Sequence, residues 1–596
     1  MNTFTHSLRG HFAKAVSAFL LAAFLLAALL LLSALPFGAL AEPQQAPADM
    51  LSERIEALFT FRRTHDTGAA GSILGSSAYI NGASSTGTDW IAIAMGRYSV
   101  VDANGVPQFL FDDGNGYALY ADAIKADMQS KYNSNDGKLD NNKLTEWARA
   151  TVALKSIGGD PANAGTYNGS PIDLIADGTY NAVISPLRQG FNGPVWALIA
   201  KNTAAYEQPE TVTYSDEYFI SYILSVQLKD GADGAYGGWA LSGSASDPDM
   251  SGMAIQALAP YYNDDTVYSY TNTKTGQALQ KTARQAVNEA LDKLGGIQLA
   301  DGDFSSWGTV NCESTVQVLT ALCMVGVDPV NDPRFITSTG KTLLDGVLKY
   351  QRADGGFSHS YGFDPDNPTA SGGAYNSMAT DQASYALVAY WRYLNNMRSL
   401  YDCRPDFDST ARAALDNVMA NIAAALAPDA TPGYSEALHR ALAGFRALDK
   451  ANRVYVRNYA ELADAITAFG GEAAVNAAVL AASLAAAKTT AKAELESYKA
   501  PADYRAEQQT DLASAVAAGK AAIDAASDVA AVNAALASSK TAIDSIKTDA
   551  QLGAEEAANT RPDGKTGNRF SDFLNWLIQL IKNIFNSLFG WIFRLF

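Results

Sequence analysis

"QLKDGADGAYGGW", residues Gln227 to Trp239, returns in shorter form as "QLADGDF" at Gln298 to Phe304 and as "QRADGGF" at Gln351 to Phe357. In each copy a glutamine closes an amphipathic stretch, an Asp-Gly pair makes the turn, and an aromatic residue follows. Glycine permits left-handed backbone, aspartate caps the turn, and the ring of Trp239, Phe304 or Phe357 is placed to lie on the glutamine amide and the preceding helix. Such a loop is a structural fastener rather than a reactive centre. Its return at intervals points to a fold made of repeated helix pairs.

Outward from these loops, residues 51–397 alternate helical stretches with loops rich in Gly, Asp, Asn and Pro. Twelve stretches are expected, near 51–62, 88–97, 116–132, 142–156, 170–181, 191–203, 214–228, 249–263, 276–294, 311–326, 340–351 and 378–397. Strand-like alternation is nearly absent, so the expected class is all-α. The Q-x-x-x-G-x-W/F repeats and the count of twelve helices resemble the terpenoid cyclase and protein prenyltransferase α/α-toroid superfamily. More narrowly they are similar to secreted bacterial prenyltransferase/squalene-oxidase-repeat proteins, and more distantly to the cobalamin carriers. The resemblance implies an α6/α6 toroid over residues 51–398, in which alternate helices form a parallel inner ring.

The even-numbered stretches would be that inner set. Five of the six carry an acid at or next to the first turn: Asp89, Glu146, Asp249, Glu313 and Asp381. Parallel helices would gather these carboxylates at one mouth. Two readings stand at this point. Acids near helix starts interact favourably with unpaired N–H groups and the helix dipole, which would make them caps. Alternatively they form a ring that also contacts a ligand, with Trp90, Trp147 and Trp196 on the same helices as aromatic platforms or as packing.

An enzymatic alternative rests on Asp249. Class II terpene cyclases protonate their substrate with the middle acid of a D-x-D-D motif; here Asp247-Pro248-Asp249-Met250 keeps that acid and replaces the last one with methionine. Those enzymes generally enclose substrate between two toroids, and this chain supplies one, leaving a lumen open to water that would quench a carbocation. The prenyltransferase reading needs zinc, but no D-x-C pair precedes Cys312 and His359, so no metal and no cofactor is expected. No P-loop or dinucleotide fingerprint follows a strand, the G-C-G-E-Q thioester sequence is missing, and "DPDNP" at Asp364 lacks EF-hand spacing for calcium.

Composition fixes the setting. Lysine and arginine total 44 against 62 aspartates and glutamates, a formal charge of −18 over 596 residues, which repels phosphate backbones and excludes nucleic acid as partner. Residues 1–41 read as an export signal, with Arg9 and Lys14 ahead of "AVSAFLLAAFLLAALLLLSAL" and small residues at Ala39–Ala41; the alternative is an uncleaved anchor. Residues 42–50 form a linker. Three cysteines are too few for a disulfide framework. Beyond the toroid, residues 399–475 read as a helical segment, 476–550 as a three-helix bundle resembling the repeats of bacterial surface proteins, and 551–568 as a polar linker. Residues 569–596 form an amphipathic helix whose broad apolar face suits a membrane surface. The expectation is an exported, cell-surface, non-catalytic binding toroid attached to the membrane through residues 569–596. Its ligand class stays open among a corrinoid, an isoprenoid and a cell-wall fragment, with the Asp249-initiated polyprenoid cyclase as the alternative.

Overall fold

The computed structural model describes residues 47–68, 71–362, 372–427, 433–559 and 569–589, with side chains described over 573–584 in the last helix. The export segment, most of the linker after it and the loop at Asp364 lie outside these residues. The protein is mostly helical and divides into two compact units, Met1–Leu415 with Asp449–Arg457, and Asp416–Leu448 with Asn458–Phe596.

In the first unit, twelve helices carry the frame: α1 (Pro47–Thr67), α2 (Thr86–Arg97), α3 (Gly116–Ser134), α4 (Thr145–Ser156), α5 (Leu174–Gly178), α6 (Asn192–Lys201), α7 (Asp216–Ser225), α8 (Pro248–Leu258), α9 (Ala283–Ile297), α10 (Cys312–Met324), α11 (Leu343–Leu348) and α12 (Ser377–Leu394). The even-numbered helices are almost wholly buried, with hydrogen-bonded polar residues among the small and apolar ones. Each packs on the next, α2 on α4, α4 on α6 and so on to α12, and α12 returns to pack on α2. The odd-numbered helices pack against them, α1 against α12, α7 against α6, α9 against α8 and α11 against α10.

The repeated loops are fasteners, and the structure shows how. The buried Gln227 donates from Nε2 to the carbonyls of Gly237 (2.8 Å) and Ala286 (3.1 Å), tying the end of α7 to its own loop and to α9. Gln351 donates to the carbonyl of Arg54 in α1 (3.2 Å), and Gln298 to Gly302 in its own turn (2.9 Å). Gly302 and Gly355 adopt φ of +90° and +96°, and a Cβ there would stand 2.1 Å from the Thr342 carbonyl and 2.5 Å from that of Ala57. Glycine is required on both counts. The aromatic residue does not simply cover the glutamine. Trp239, Phe304 and Phe357 are fully buried, and their backbone N–H groups donate to Ser251, Thr315 and Thr380 in the first turns of α8, α10 and α12, at 2.9, 3.1 and 2.9 Å.

Some expectations are corrected. The helix expected over 170–181 is reduced to α5, because Thr166–Tyr167 and Ser170–Pro171 pair as a hairpin, and the one expected from 276 begins at Ala283, because Tyr268–Thr271 pairs with Ala278–Lys281. Two more antiparallel hairpins, Ser99–Val101 with Pro107–Phe109 and Phe304–Ser306 with Thr309–Asn311, also interrupt the all-helical pattern. These strands are too short for alternation to register.

In the second unit, Glu472–Glu496, Ala506–Ala525 and Val529–Asp544 pack mutually around Leu495, Leu512, Ile523, Val532 and Ile543. The first begins four residues before the expected bundle boundary. Gly519 lets the helices close up: a Cβ there would stand 2.5 Å from Leu495. Residues Glu472–Asp503 are long and apolar enough to cross a membrane, a property that comes from alanine content.

Candidate functional site

Helix direction decides where the first turns go. Asp89 in the first turn of α2 pairs with Arg149 in α4, and Gly96 in the last turn of α2 lies against the Ser156 carbonyl at the end of α4. Starts meet starts and ends meet ends, so these neighbours run parallel. The same holds for α12 and α2, where Trp90 in the first half of α2 meets Tyr385 at the middle of α12 (ring centroids 5.7 Å apart) and Arg392 donates to the carbonyls of Arg97 and Ser99 near the ends. Ser314 in the first turn of α10 likewise donates to Asp249 in the first turn of α8 (3.1 Å).

None of the five acids at or next to the first turns caps its helix. Asp247, Asn311 and Asn376 cap α8, α10 and α12, each accepting from a backbone N–H three residues on. The acids therefore have other partners, and they sort into two groups. Asp89 is fully buried, accepts from Tyr120 (2.8 Å) and Arg149 Nε (2.8 Å), and has its pKa pushed up to about 6, because burial outweighs the pull of Arg149. Glu146, partly exposed, takes the other side of the same guanidinium at 2.7 Å. Asp381 is 2% exposed and shares Arg62, 3.5 Å away, with Asp66; burial again dominates and raises its pKa to about 7. Arg62, surrounded by two acids and the Tyr79 and Tyr375 hydroxyls, holds its own charge firmly. These two clusters are internal ion-pair networks.

The α8–α10 sector is different. Asp249 is half-buried and hydrogen-bonded to serine hydroxyls; burial and the neighbouring Asp247 charge push its pKa up to about 7. Asp247 spends one oxygen on the Met250 N–H and the other on Ser306. Glu313, 6% exposed, meets His359 Nδ1 at 2.8 Å through one carboxylate oxygen, while its Oε1 has no hydrogen-bond partner among the described residues. No lysine or arginine pairs with these three acids among the described ion pairs. Beside them, Trp307 and Gly308 form the two-residue turn of the Phe304–Asn311 hairpin, with φ of +52° and +87°, and the indole is 69% exposed. A left-handed backbone costs a tryptophan about 1 kcal/mol that asparagine or glycine would avoid.

The expected tryptophans are inside. Trp147 is fully buried and donates to the Tyr132 hydroxyl (2.8 Å), a packing role. Trp90, on α2, packs at a tilt against Trp196 on α6, 5.2 Å between centroids, passing the intervening α4; Trp196 continues to Tyr401. Rings that bridge non-adjacent helices fill the space those helices surround. Gln256, Gln317, Gln382 and the Tyr385 hydroxyl form a hydrogen-bonded ladder through the same interior. At the other ends of α6, α8 and α10, a cavity of about 70 Å³ lies among Ile199, Gln256, Met324, Tyr401, Arg404 and Tyr455. Arg97 and Arg392, both buried, hold the chain over residues 398–406 across those ends through its carbonyls.

Sequence reading missed Trp307, whose one signal was a Trp-Gly pair in a polar loop, and the use of His359 as a partner for Glu313. No group of three or more His, Cys, Asp or Glu among the described residues is arranged to hold a metal ion. No protein-family model, curated protein or solved structure matches the chain.

Proposed function

We propose that residues 51–398 form an α6/α6 toroid that binds a ligand or partner, without catalysis, at the rim where the inner helices begin, and that the protein works at the cell surface after export. The toroid reading is supported by six buried helices whose packing series returns to its start, with parallel neighbours and a second set packed against them. The observation that carries the binding reading is the sector of Asp249, Glu313 and Trp307: carboxylates with no lysine or arginine partner among the described residues, in the same region as an exposed indole held in a costly turn. Membrane attachment through residues 569–596 is supported by Arg569–Phe589, on which Phe573, Leu574, Ile578, Ile581 and Ile584 are all exposed. The three-helix bundle serves as a spacer.

A thermal-shift screen of the full chain against cobinamide, farnesol and muropeptides tests this, since a ligand that binds only the native state raises its unfolding temperature. A shift that disappears in the Asp249→Ala/Trp307→Ala double variant supports the reading; a shift that survives it moves the site elsewhere. The second reading, proton donation by Asp249 to a polyprenoid, is favoured by the raised pKa of that acid. It also needs an apolar chamber of several hundred Å³ beside the acid. The interior next to Asp249 is instead occupied by the Trp90, Trp196 and Tyr385 rings and the glutamine ladder. Cyclised product from a polyprenoid alcohol, lost in Asp249→Asn, would restore the enzyme.

A further inference from the structure

Resting on the binding reading, the geometry points to an organic ammonium group as the moiety taken at the α8–α10 sector, with its nitrogen between Asp249 and Glu313 and its carbon stem against Trp307. Three observations converge on that chemistry. First, the other first-turn acids each have an internal guanidinium, Arg149 for Asp89 and Glu146, Arg62 for Asp381, whereas Asp247, Asp249 and Glu313 have among them one histidine. Of the five acids at the inner-helix starts, only the two in this sector have no guanidinium partner among the described residues. Second, Glu313 Oε1 is buried and has no partner among the described residues, which costs free energy unless a donor arrives. Asp249 contributes a half-buried carboxylate bonded only to hydroxyls that rotate readily, so it too can accept from a new donor. Third, the required charge is organic rather than metallic, because the described acids and histidines are not arranged to enclose a metal, and an ammonium has the N–H donors and the apolar stem that a carboxylate pair beside an indole recognises.

The hairpin explains how the parts are aligned. Ser306 donates to Asp247 and is followed directly by Trp307, so the hydrogen bond that fixes the hairpin to the start of α8 also anchors the turn that carries the exposed indole. Two sources carry the same group: a lysine side chain of a polypeptide and an amino sugar.

Calorimetric titration of the full chain at pH 8 and low salt separates the outcomes. The probes are Nα-acetyl-lysine amide and glucosamine, each beside its neutral N-acetylated form. The expected result is that one of the two amines binds at least tenfold more tightly than its acetylated form. That affinity falls as salt is added and drops about tenfold in Glu313→Gln and severalfold in Trp307→Ala, with circular dichroism unchanged. Whichever amine binds identifies the source. Equal binding of amine and acetylated form, full affinity in Glu313→Gln, or no heat from either amine at millimolar concentration overturns the ammonium assignment. In any of those cases, a cobinamide, farnesol or muropeptide shift that still depends on Asp249 and Trp307 leaves the binding reading intact, and the lack of any such shift removes both.

Discussion

Replacing Asp381 by asparagine removes a buried charge while keeping the side-chain shape, and its effect reverses the usual expectation for an ion-paired acid. Asp381 is 2% exposed, its Oδ1 accepts no hydrogen bond among the described residues, and the nearest guanidinium nitrogen, on Arg62, stands 3.5 Å away and is shared with Asp66. Its pKa rises from 3.8 to about 7 on folding. An acid whose folded pKa is raised contributes stability that is complete below its unfolded pKa and is lost as pH climbs through the folded one. The shift of about three pH units corresponds to about 4 kcal/mol, of which about 3 kcal/mol is lost between pH 5 and pH 8. An asparagine at this position does not titrate and loses nothing over that range. The Asp381→Asn variant should exceed the wild type by about 1 kcal/mol at pH 5 and by about 4 kcal/mol at pH 8, with Arg62 still held by Asp66, Tyr79 and Tyr375. Urea unfolding followed by tryptophan fluorescence is the assay, since six of the eight tryptophans lie between residues 90 and 391. A stability difference that does not change with pH, or an asparagine variant weaker than wild type at pH 8, refutes the reasoning. Arg62→Met is the counterpart: it leaves Asp381 and Asp66 without their cation and should cost about 3 to 5 kcal/mol, more at pH 8 than at pH 5.

Other outcomes follow from the same contacts. Gln227→Leu, at a fully buried position with hydrogen bonds to Gly237, Ala286 and Glu289, should cost about 2 to 4 kcal/mol in urea unfolding, whereas Gln351→Leu, at a partly exposed position, should cost about 1 kcal/mol; equal losses would deny the fastener role of the first. Gly252→Val, which puts side-chain atoms where a Cβ already stands 2.8 Å from the Gln317 carbonyl, should separate α8 from α10 and lower the melting temperature by several degrees. Deleting residues 569–596 should move the protein from floated vesicles to the soluble fraction, and a truncated protein that still floats would assign the attachment to another segment.

The frame was legible because it is written in local terms. Glutamine, Asp-Gly and an aromatic residue fall in a short span, and each even-numbered helix announces itself by apolar periodicity. What was hidden depends on chain segments far apart. Arg62 and Arg149 are ordinary basic residues in their own helices, and nothing nearby tells that one lies against Asp381 and the other against Asp89. Of the two readings the acids allowed, the capping one fails at three helices because an aspartate two residues before Asp249 and asparagines before Glu313 and Asp381 take the N–H groups. Trp307 is invisible to periodicity since a two-residue turn has none.

The helix dipole alone does not account for the five acids. It is worth about 0.3 to 1 kcal/mol to an exposed carboxylate in the first turn. Asp89 and Asp381 sit at the fourth and fifth residues of their helices, buried, and their raised pKa values show that dehydration exceeds every favourable interaction acting on them. They persist because Arg149 and Arg62 stand beside them, and the networks they form join α2 to α4 and α12 to α1. Asp249 is also raised by dehydration and has no guanidinium beside it among the described residues, where Glu313 Oε1 likewise has no partner. A fold with two worked examples of neutralising such acids leaves this pair uncompensated at the one place where an exposed tryptophan is held in a left-handed turn. Three unfavourable features within one short hairpin and two helix starts are hard to retain for stability, and a cation from outside the chain relieves two of them at once.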